Sequence, residues 1–417
     1  MIYIHFVKKY VYLCVQLRII KDKSKMRNSI LIPFVCVVAA CTSSSSPKYQ
    51  AADPQATPEA NMLFQRLMKL QEKGVMYGHQ DDLMYGSTWW YEADRSDVKE
   101  TVGDYPAIVG FELGEIETGR ERSLDSVSFA QITEQVKIFH RLNGVITVSW
   151  HAINPITSQW THRVVTANGP GSAWDIKKFT AGRYPEPESV PDFEISADSL
   201  NAVKSILPGG ENHAMFNEWL NLLADYFKTW TDDAGRLIPF IFRPWHEHSG
   251  SFFWWGRERC TDDEYAALWR YTVNYLRNQG LNNILYAYNT DKVYSFDDFM
   301  RGYPGDEYVD MVSIDWYGQG PEFNVLVDHA LNFGTNYALE KGKLFALSEC
   351  SNISQEMIDI LRKYNVSYFL TWRNAPLPAE MSSNPMFERR REEMNSQLKL
   401  MYTDPHTLFL QDIQDDK

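Results

Sequence analysis

Two glutamates sit where one substrate could meet both an acid and a nucleophile. Glu247 ends the apolar run Ile238-Pro-Phe-Ile-Phe-Arg-Pro-Trp-His-Glu, and Glu349 ends Lys343-Leu-Phe-Ala-Leu-Ser-Glu. A convergent carboxyl pair is the minimal equipment for cleaving a glycosidic bond. One group gives a proton to the leaving oxygen, and the other attacks the sugar or activates water. Residues about a hundred positions apart converge only if the fold brings their strand ends to one face. The elements around them therefore decide the matter.

Apolar strand-like runs alternate with helical stripes along the body of the chain. The runs are Val75–Tyr77, Ala107–Phe111, Val145–Trp150, Pro239–Arg243, Ile284–Tyr288, Met311–Ile314, Leu344–Leu347 and Tyr368–Thr371. Between them, Phe216, Trp219, Leu220, Leu223 and Phe227 mark one helix face, and Tyr265, Leu268, Trp269, Val273 and Leu276 another. Thr261-Asp-Asp-Glu264 has the capping-box form that starts a helix. This βαβα alternation predicts an α/β protein, a single (β/α)8 TIM barrel over residues 59–417. The runs end, in order, in His79-Gln80, Glu112, His151, His246-Glu247, Asn289, Asp315 with Tyr317, Glu349, and Trp372-Arg373-Asn374. In a parallel barrel all eight endings ring one mouth, the face where such barrels do chemistry. The long connection after the third run, residues 154–207, carries Trp160, His162 and Trp174 and reads as a cleft wall, a lid or a decorative insertion.

Composition narrows the partners. A hydrophobic content of 44% in 417 residues supports a large core, and the formal charge of −13 disfavours nucleic acid or an anionic membrane surface. Thirteen tryptophans supply flat rings of the kind that pack on sugar faces, although most must simply fill the core. At the N-terminus, Met26-Arg-Asn leads into the apolar stretch Ile30 to Ala40, then Cys41 and Thr42-Ser-Ser-Ser-Ser. This resembles a bacterial lipoprotein signal, with Met26 as the start and Cys41 as the lipidated residue. Residues 1–41 are thus expected to be extension and signal, and residues 42–58 a flexible tether. No acidic cluster follows Cys41, which favours the periplasmic side of the envelope over the cell surface. Only Cys260 and Cys350 would then remain, too few for a disulfide framework.

Six segments in order carry a family resemblance: Tyr77-Gly-His-Gln-Asp-Asp-Leu-Met-Tyr-Gly86, Ser149-Trp-His-Ala-Ile-Asn-Pro155, Phe242-Arg-Pro-Trp-His-Glu247, Phe253-Trp-Trp-Gly256, Asp315-Trp-Tyr317 and Leu347-Ser-Glu349. From about Pro58 to the C-terminus the chain resembles glycoside hydrolase family 26, mainly β-mannanases. The resemblance implies a retaining mechanism, with Glu247 as acid/base and Glu349 as nucleophile. It implies that Tyr317 hydrogen-bonds the nucleophile and that His246 belongs to the network of the acid/base. It also implies that His151 lies near the glycone side, that Trp372 forms the platform under the sugar at the cleavage point, and that Arg373 contacts the next unit. Trp254 and Trp255 would line the leaving-group side. Glu112 and Asp315 fall outside the matched catalytic positions and read as supporting or hydroxyl-binding groups. The substrate implied is β-1,4-mannan or manno-oligosaccharides, cleaved by a monomer that reaches a membrane through its lipid anchor alone.

Other readings weigh less. His246-Glu-His248 would point two histidines the same way on a strand, and with His79 and His151 they suggest a metal hydrolase. A mononuclear catalytic site takes three protein ligands and an open position, and Glu349 would then have no role. Neither a metal nor a cofactor is expected. The remaining alternatives are another β-glycan as substrate, lichenan-like glucan or β-1,3-xylan, and a non-catalytic glycan-binding lipoprotein.

Overall fold

A computed structural model describes residues 49–156, 201–318, 320–351, 354–374 and 385–415, with the backbone of the short strand pair Val165–Thr166 and Gly169–Pro170. Eight strands pair in chain order, all parallel: β1 (Val75–Gln80), β2 (Ile108–Glu112), β3 (Val145–Trp150), β4 (Phe240–Pro244), β5 (Ile284–Thr290), β6 (Met311–Trp316), β7 (Leu344–Cys350) and β8 (Tyr368–Thr371). Pairing of β8 with β1, from Met76 opposite Tyr368 to His79 opposite Thr371, closes the sheet into the expected barrel. A short β9 (Thr407–Leu408) runs beside the start of β1.

Every residue of the eight strands is buried, as a sheet covered on both faces requires. The outer layer comprises α1 (Pro58–Lys73), α2 (Asp97–Val102), α3 (Phe129–Arg141), α4 (His213–Phe227), α5 (Asp262–Asn278), α6 (Pro321–Lys341), α7 (Gln355–Leu361) and α8 (Pro385–Tyr402). The two helical stripes read from the sequence face inward on α4 and α5, and the capping box at Thr261 is formed in both directions. That box satisfies two otherwise orphaned amides at the start of α5, the first helix after Glu247.

One irregularity matters for the site. Ile314 pairs with Leu347 but Asp315 pairs with Glu349, so β7 holds one extra residue, Ser348, opposite β6. The register between β7 and β8 shifts at the same level. Regular alternation would turn Ser348 inward and Glu349 toward the helices. The bulge lets both consecutive side chains face the barrel axis.

The tether expected over residues 42–58 is corrected in its later part; residues 42–48, Cys41 and the signal lie outside the described residues. From Tyr49 onward the segment is docked on the barrel. Ala52 N donates to Asp310 Oδ1 at 2.6 Å, Asp53 Oδ2 accepts from Asn282 Nδ2 at 2.8 Å, and Thr57 N donates to Asn282 O at 2.9 Å. Asp53 also lies 3.4 Å from Arg277 Nε and is buried. Charge and hydrogen bonding to the loops before β5 and β6 hold a stretch whose composition alone suggests flexibility. Cys260 and Cys350 form no disulfide with each other.

Candidate active site

The C-terminal strand ends converge as expected, and the mouth is organised around three buried carboxyl groups and one arginine. Oxygens of Glu247, Asp315 and Glu349 lie within 4.8 Å of one another. Arg243, a charged residue inside the apolar strand β4, reaches from below: Nη1 donates to Asp315 Oδ2 at 2.6 Å, and Nη2 donates to Glu349 Oε1. A buried guanidinium needs such partners, and its two outer nitrogens match two separate acids. The sequence reading gave Arg243 no role. Its signal was a cation in the middle of a strand with no water nearby.

Asp315 is fully engaged. Besides Arg243 it accepts from Ser348 Oγ at 2.6 Å and Asn289 Nδ2 at 2.8 Å. Burial, with the charge of the neighbouring Glu349, pushes its carboxyl up to about 8 against these donors. Asp315 is therefore a support for its neighbours, and the hydroxyl-binding role once open to it is set aside. Glu349 has its second oxygen held as well, since Tyr317 Oη donates to Oε2 at 2.6 Å. Burial and the charge of Glu349 keep the Tyr317 phenol protonated well above the usual range, so it remains a donor.

Glu247 sits on a strained turn. Strand β4 ends at Pro244, and Trp245 (φ 51°) and Glu247 (φ 53°) both take the left-handed region that costs non-glycine residues about 1–2 kcal/mol each. Neighbours enforce it. Tyr265 Oη donates to Trp245 O at 2.8 Å, Trp255 Nε1 to His246 O at 2.8 Å, and Glu247 N to Asn289 Oδ1 at 2.7 Å. Burial pushes the Glu247 carboxyl well above the usual carboxylate range, and the charges of Glu349 and Asp315 push it further. A carboxyl disposed to keep its proton thus stands beside one whose two oxygens are both held by donors.

The turn also overturns the premise of the metal reading. His246 and His248 do not point the same way, because the intervening backbone is not a strand. His248 stacks on Tyr265 with ring centroids 4.0 Å apart, and its nitrogens meet Asn289 O at 3.1 Å and Arg301 O at 2.8 Å. Burial lowers its pKa to about 4, and it serves the fold. His79 is turned to Gln80 O at 2.8 Å and is buried. The three clustered carboxyl groups could in principle hold a cation, but Arg243 already supplies positive charge to two of them.

His246 instead faces His151, Nε2 to Nε2 at 3.1 Å, so one ring must donate and the other accept. Glu112 fixes the relay. It accepts from His151 Nδ1 at 2.7 Å, His151 N at 2.9 Å, Gly114 N at 2.5 Å and the Ser149 hydroxyl. Burial works against this carboxylate, yet the His151 charge and these donors bring its pKa to about 2. Burial likewise opposes the His151 cation, and Glu112 overcomes it, raising the imidazole. Glu112 therefore orients His151 and has no free face for a sugar hydroxyl.

The aromatic and arginine positions divide. Trp372, half-buried at the end of β8, stands edge-on to His151 with centroids 6.0 Å apart, beside the carboxyl groups' own neighbours. Arg373 is held by Asp125 at 2.8 Å and lies over the Tyr85 ring at 5.9 Å, yet keeps part of its surface exposed. Trp254 and Trp255 are a correction: both are buried. Trp254 donates to Ala152 O at 3.0 Å and packs with Trp255 around Trp245, so they brace the strained turn and present no ring for a sugar. Trp160, His162 and Trp174 lie outside the described residues.

Comparison with known proteins agrees with this geometry. The model of "Glycosyl hydrolase family 26" matches residues 52–182 and 171–410. A family 26 β-mannanase of Bacteroides ovatus superposes with a TM-score of 0.71 at 31% identity, covering 85% of this chain and 96% of that one. An endo-β-1,4-mannanase of Cellulomonas fimi superposes with a TM-score of 0.70 at 26% identity, covering 87% of this chain and 78% of that one. A mannan endo-1,4-β-mannosidase of Bifidobacterium adolescentis is 29% identical over 74% of this chain. The chain spans 28% of the length of that relative and 63% of a Thermothelomyces thermophilus mannan endo-1,4-β-mannosidase, to which it is 25% identical over 87% of this chain. With a closed (β/α)8 barrel, paired strand-end carboxylates and a family match along nearly all the described residues, this chain belongs to glycosyl hydrolase family 26.

Proposed function

We propose that the chain is a retaining β-mannanase, hydrolysing β-1,4 bonds in mannan or manno-oligosaccharides by double displacement. The observation that carries this reading is the Glu247–Glu349 pair, with oxygens within 4.8 Å and the Glu247 carboxyl pushed well above the usual range by burial and by the charge of Glu349. Retaining enzymes keep their carboxyl groups about 5–5.5 Å apart, and inverting enzymes separate them by about 6.5–9.5 Å to admit a water. Glu247 gives its proton to the glycosidic oxygen as a Glu349 oxygen bonds the anomeric carbon, and the leaving sugar departs as an alcohol. Glu247, now a carboxylate, takes a proton from water, whose oxygen displaces Glu349 from the same carbon. Arg243 and Tyr317 hold the nucleophile in place and share its charge. Trp372 supplies a face for the reacting sugar, and Arg373 contacts the next unit. Mannan as substrate rests on the names of the relatives, mannan endo-1,4-β-mannosidases in both bacteria and a fungus.

The test is a time course on mannan, lichenan and β-1,3-xylan, with the anomer released first identified by proton NMR. The β anomer from mannan is expected. The α anomer would overturn the retaining step, and preference for another glycan would overturn the substrate. A ladder of products means attack along the chain; one dominant disaccharide means release from an end.

We further propose that a monomer is tethered by lipid on Cys41 at the periplasmic side of a bacterial envelope. The small residues before Cys41 and the Ser-rich stretch after it support this, and several acyl chains hold firmly where one is marginal. Detergent partitioning of wild type against Cys41→Ala tests the anchor, and protease treatment of whole cells tests the side. Equal partitioning removes the anchor, and digestion on intact cells moves the protein to the surface.

A further inference from the structure

Trp90 is the only exposed tryptophan among the described residues, at 42%. Its neighbours in the chain are firmly anchored. Its predecessor Trp89 is buried and donates Nε1 to Asp97 Oδ1 at 2.7 Å. Asp97, the first residue of α2, also receives Ser87 N at 2.7 Å and Asn374 Nδ2, from the β8 loop, at 2.7 Å. Gly86 lies so close that a Cβ there would meet Asp97 Oδ1 at 2.0 Å and Trp89 Nε1 at 2.1 Å, so the segment has no room to shift. On the other side Tyr91, at φ 53°, donates its hydroxyl to Ser126 O in the β2 loop, which Arg122 Nη1 also contacts at 2.9 Å.

Three loops of the mouth, those after β1, β2 and β8, are therefore fastened together with Trp90 at the seam. From Trp90 a continuous path of flat groups leads to the reacting site. Its ring lies 4.8 Å from that of the buried Tyr85, Arg373 lies over the Tyr85 ring at 5.9 Å, and Trp372 directly precedes Arg373 in the chain. The part of the ring that faces water gains nothing from burial, and a preorganised flat face loses little entropy on binding.

We propose that Trp90 is a stacking platform for a sugar unit of the substrate on the glycone side, beyond the unit met by Arg373. The occupant is a β-linked pyranose of the same oligosaccharide, whose axial C–H groups pack on the ring. This rests on the function proposed above and adds a specificity for longer chains. Trp90 is linked to Trp372 through Tyr85 and Arg373, so a short substrate seated at Trp372 would end before it.

The test compares kcat/KM for mannohexaose and mannotriose in wild type, Trp90→Ala and Trp90→Phe. In Trp90→Ala the hexaose-to-triose ratio is expected to fall about tenfold, the loss of one aromatic contact, and Trp90→Phe is expected to recover most of it. An unchanged ratio overturns the platform, whether both rates stay normal or both fall together as for a ring that merely supports the loop. Calorimetry of mannohexaose with Glu349→Ala, alone and combined with Trp90→Ala, gives a second reading: equal affinities overturn the proposal, and about tenfold weaker binding supports it. If wild type cleaves neither sugar the proposed activity fails, and the calorimetric arm still decides the platform.

Discussion

Tyr317 hands its phenolic hydrogen to Oε2 of Glu349 across 2.6 Å, while Arg243 occupies the other oxygen of the same carboxylate. Both oxygens are thus oriented before any substrate arrives. A carboxylate held this way would need no reorganisation to act as the proposed nucleophile.

Tyr317→Phe removes one of these without changing shape. The chemical step is expected to slow about 10²–10³-fold, with KM within a few-fold of wild type. Steady-state kinetics on mannan and on an activated aryl mannobioside check this. A mutant that lost affinity alone would make Tyr317 a binding residue.

Replacing either glutamate should abolish mannan hydrolysis, with defects that differ in kind. Glu247→Ala still forms the ester from a dinitrophenyl glycoside, because that leaving group needs no acid, and azide restores turnover. Glu349→Ala forms no ester and releases nothing through that route. Stopped-flow bursts and mass spectrometry of the trapped protein separate the two.

Glu247 also sets a dependence of stability on pH. Its folded pKa lies above the unfolded value, so the folded chain binds the proton more tightly than the unfolded one. That contribution is complete below about pH 4.3, the ordinary glutamate value, and is lost as pH rises through the raised folded pKa. Glu247→Gln keeps the neutral shape and removes the loss. Its melting temperature is expected to exceed that of wild type by about 2 °C at pH 8, with the gap closing near pH 4. Calorimetric melting at the two pH values reads the difference, and a gap that widened toward acid would reverse the argument.

Glu112→Gln addresses the histidine relay. The carboxylate charge that overcomes burial at His151 disappears, so the imidazole should titrate lower than in wild type. Heteronuclear NMR of the ring nitrogens measures this directly. Activity should fall with it, because Glu112 also holds the His151 main chain at 2.9 Å.

Much of this arrangement was legible in the residue string, for identifiable reasons. A strand buried on both faces must be a continuous apolar run, so all eight could be located, and polar endings such as Glu112 and His151 mark where a run leaves the core. The two glutamates stood out because an acid directly after Leu-Ser or Trp-His has no ordinary reason to be there. What stayed hidden depends on tertiary geometry. The left-handed backbone at Trp245 and Glu247 is imposed by Tyr265, Trp255 and Asn289 from three other segments. An indole that braces a turn and one that meets a sugar have the same composition, so Trp254 and Trp90 could not be told apart before their burial was known. The docking of residues 49–57 depends on Asp310 and Asn282, more than two hundred positions away, which no local pattern encodes.

The extra residue in β7 has a consequence for anyone moving this chemistry to another scaffold. On an evenly alternating strand, Ser348 and Glu349 would look out of opposite sides of the wall, one toward the axis and one toward the helices. Copying the glutamate alone onto a flat barrel would therefore mount it in a place whose aim is decided by odd or even count. The portable unit is the kinked Leu347-Ser348-Glu349 backbone facing Ile314-Asp315, with Asn289 and Arg243 beneath it. The aim of Glu349 is stored in a miscount between two neighbouring strands.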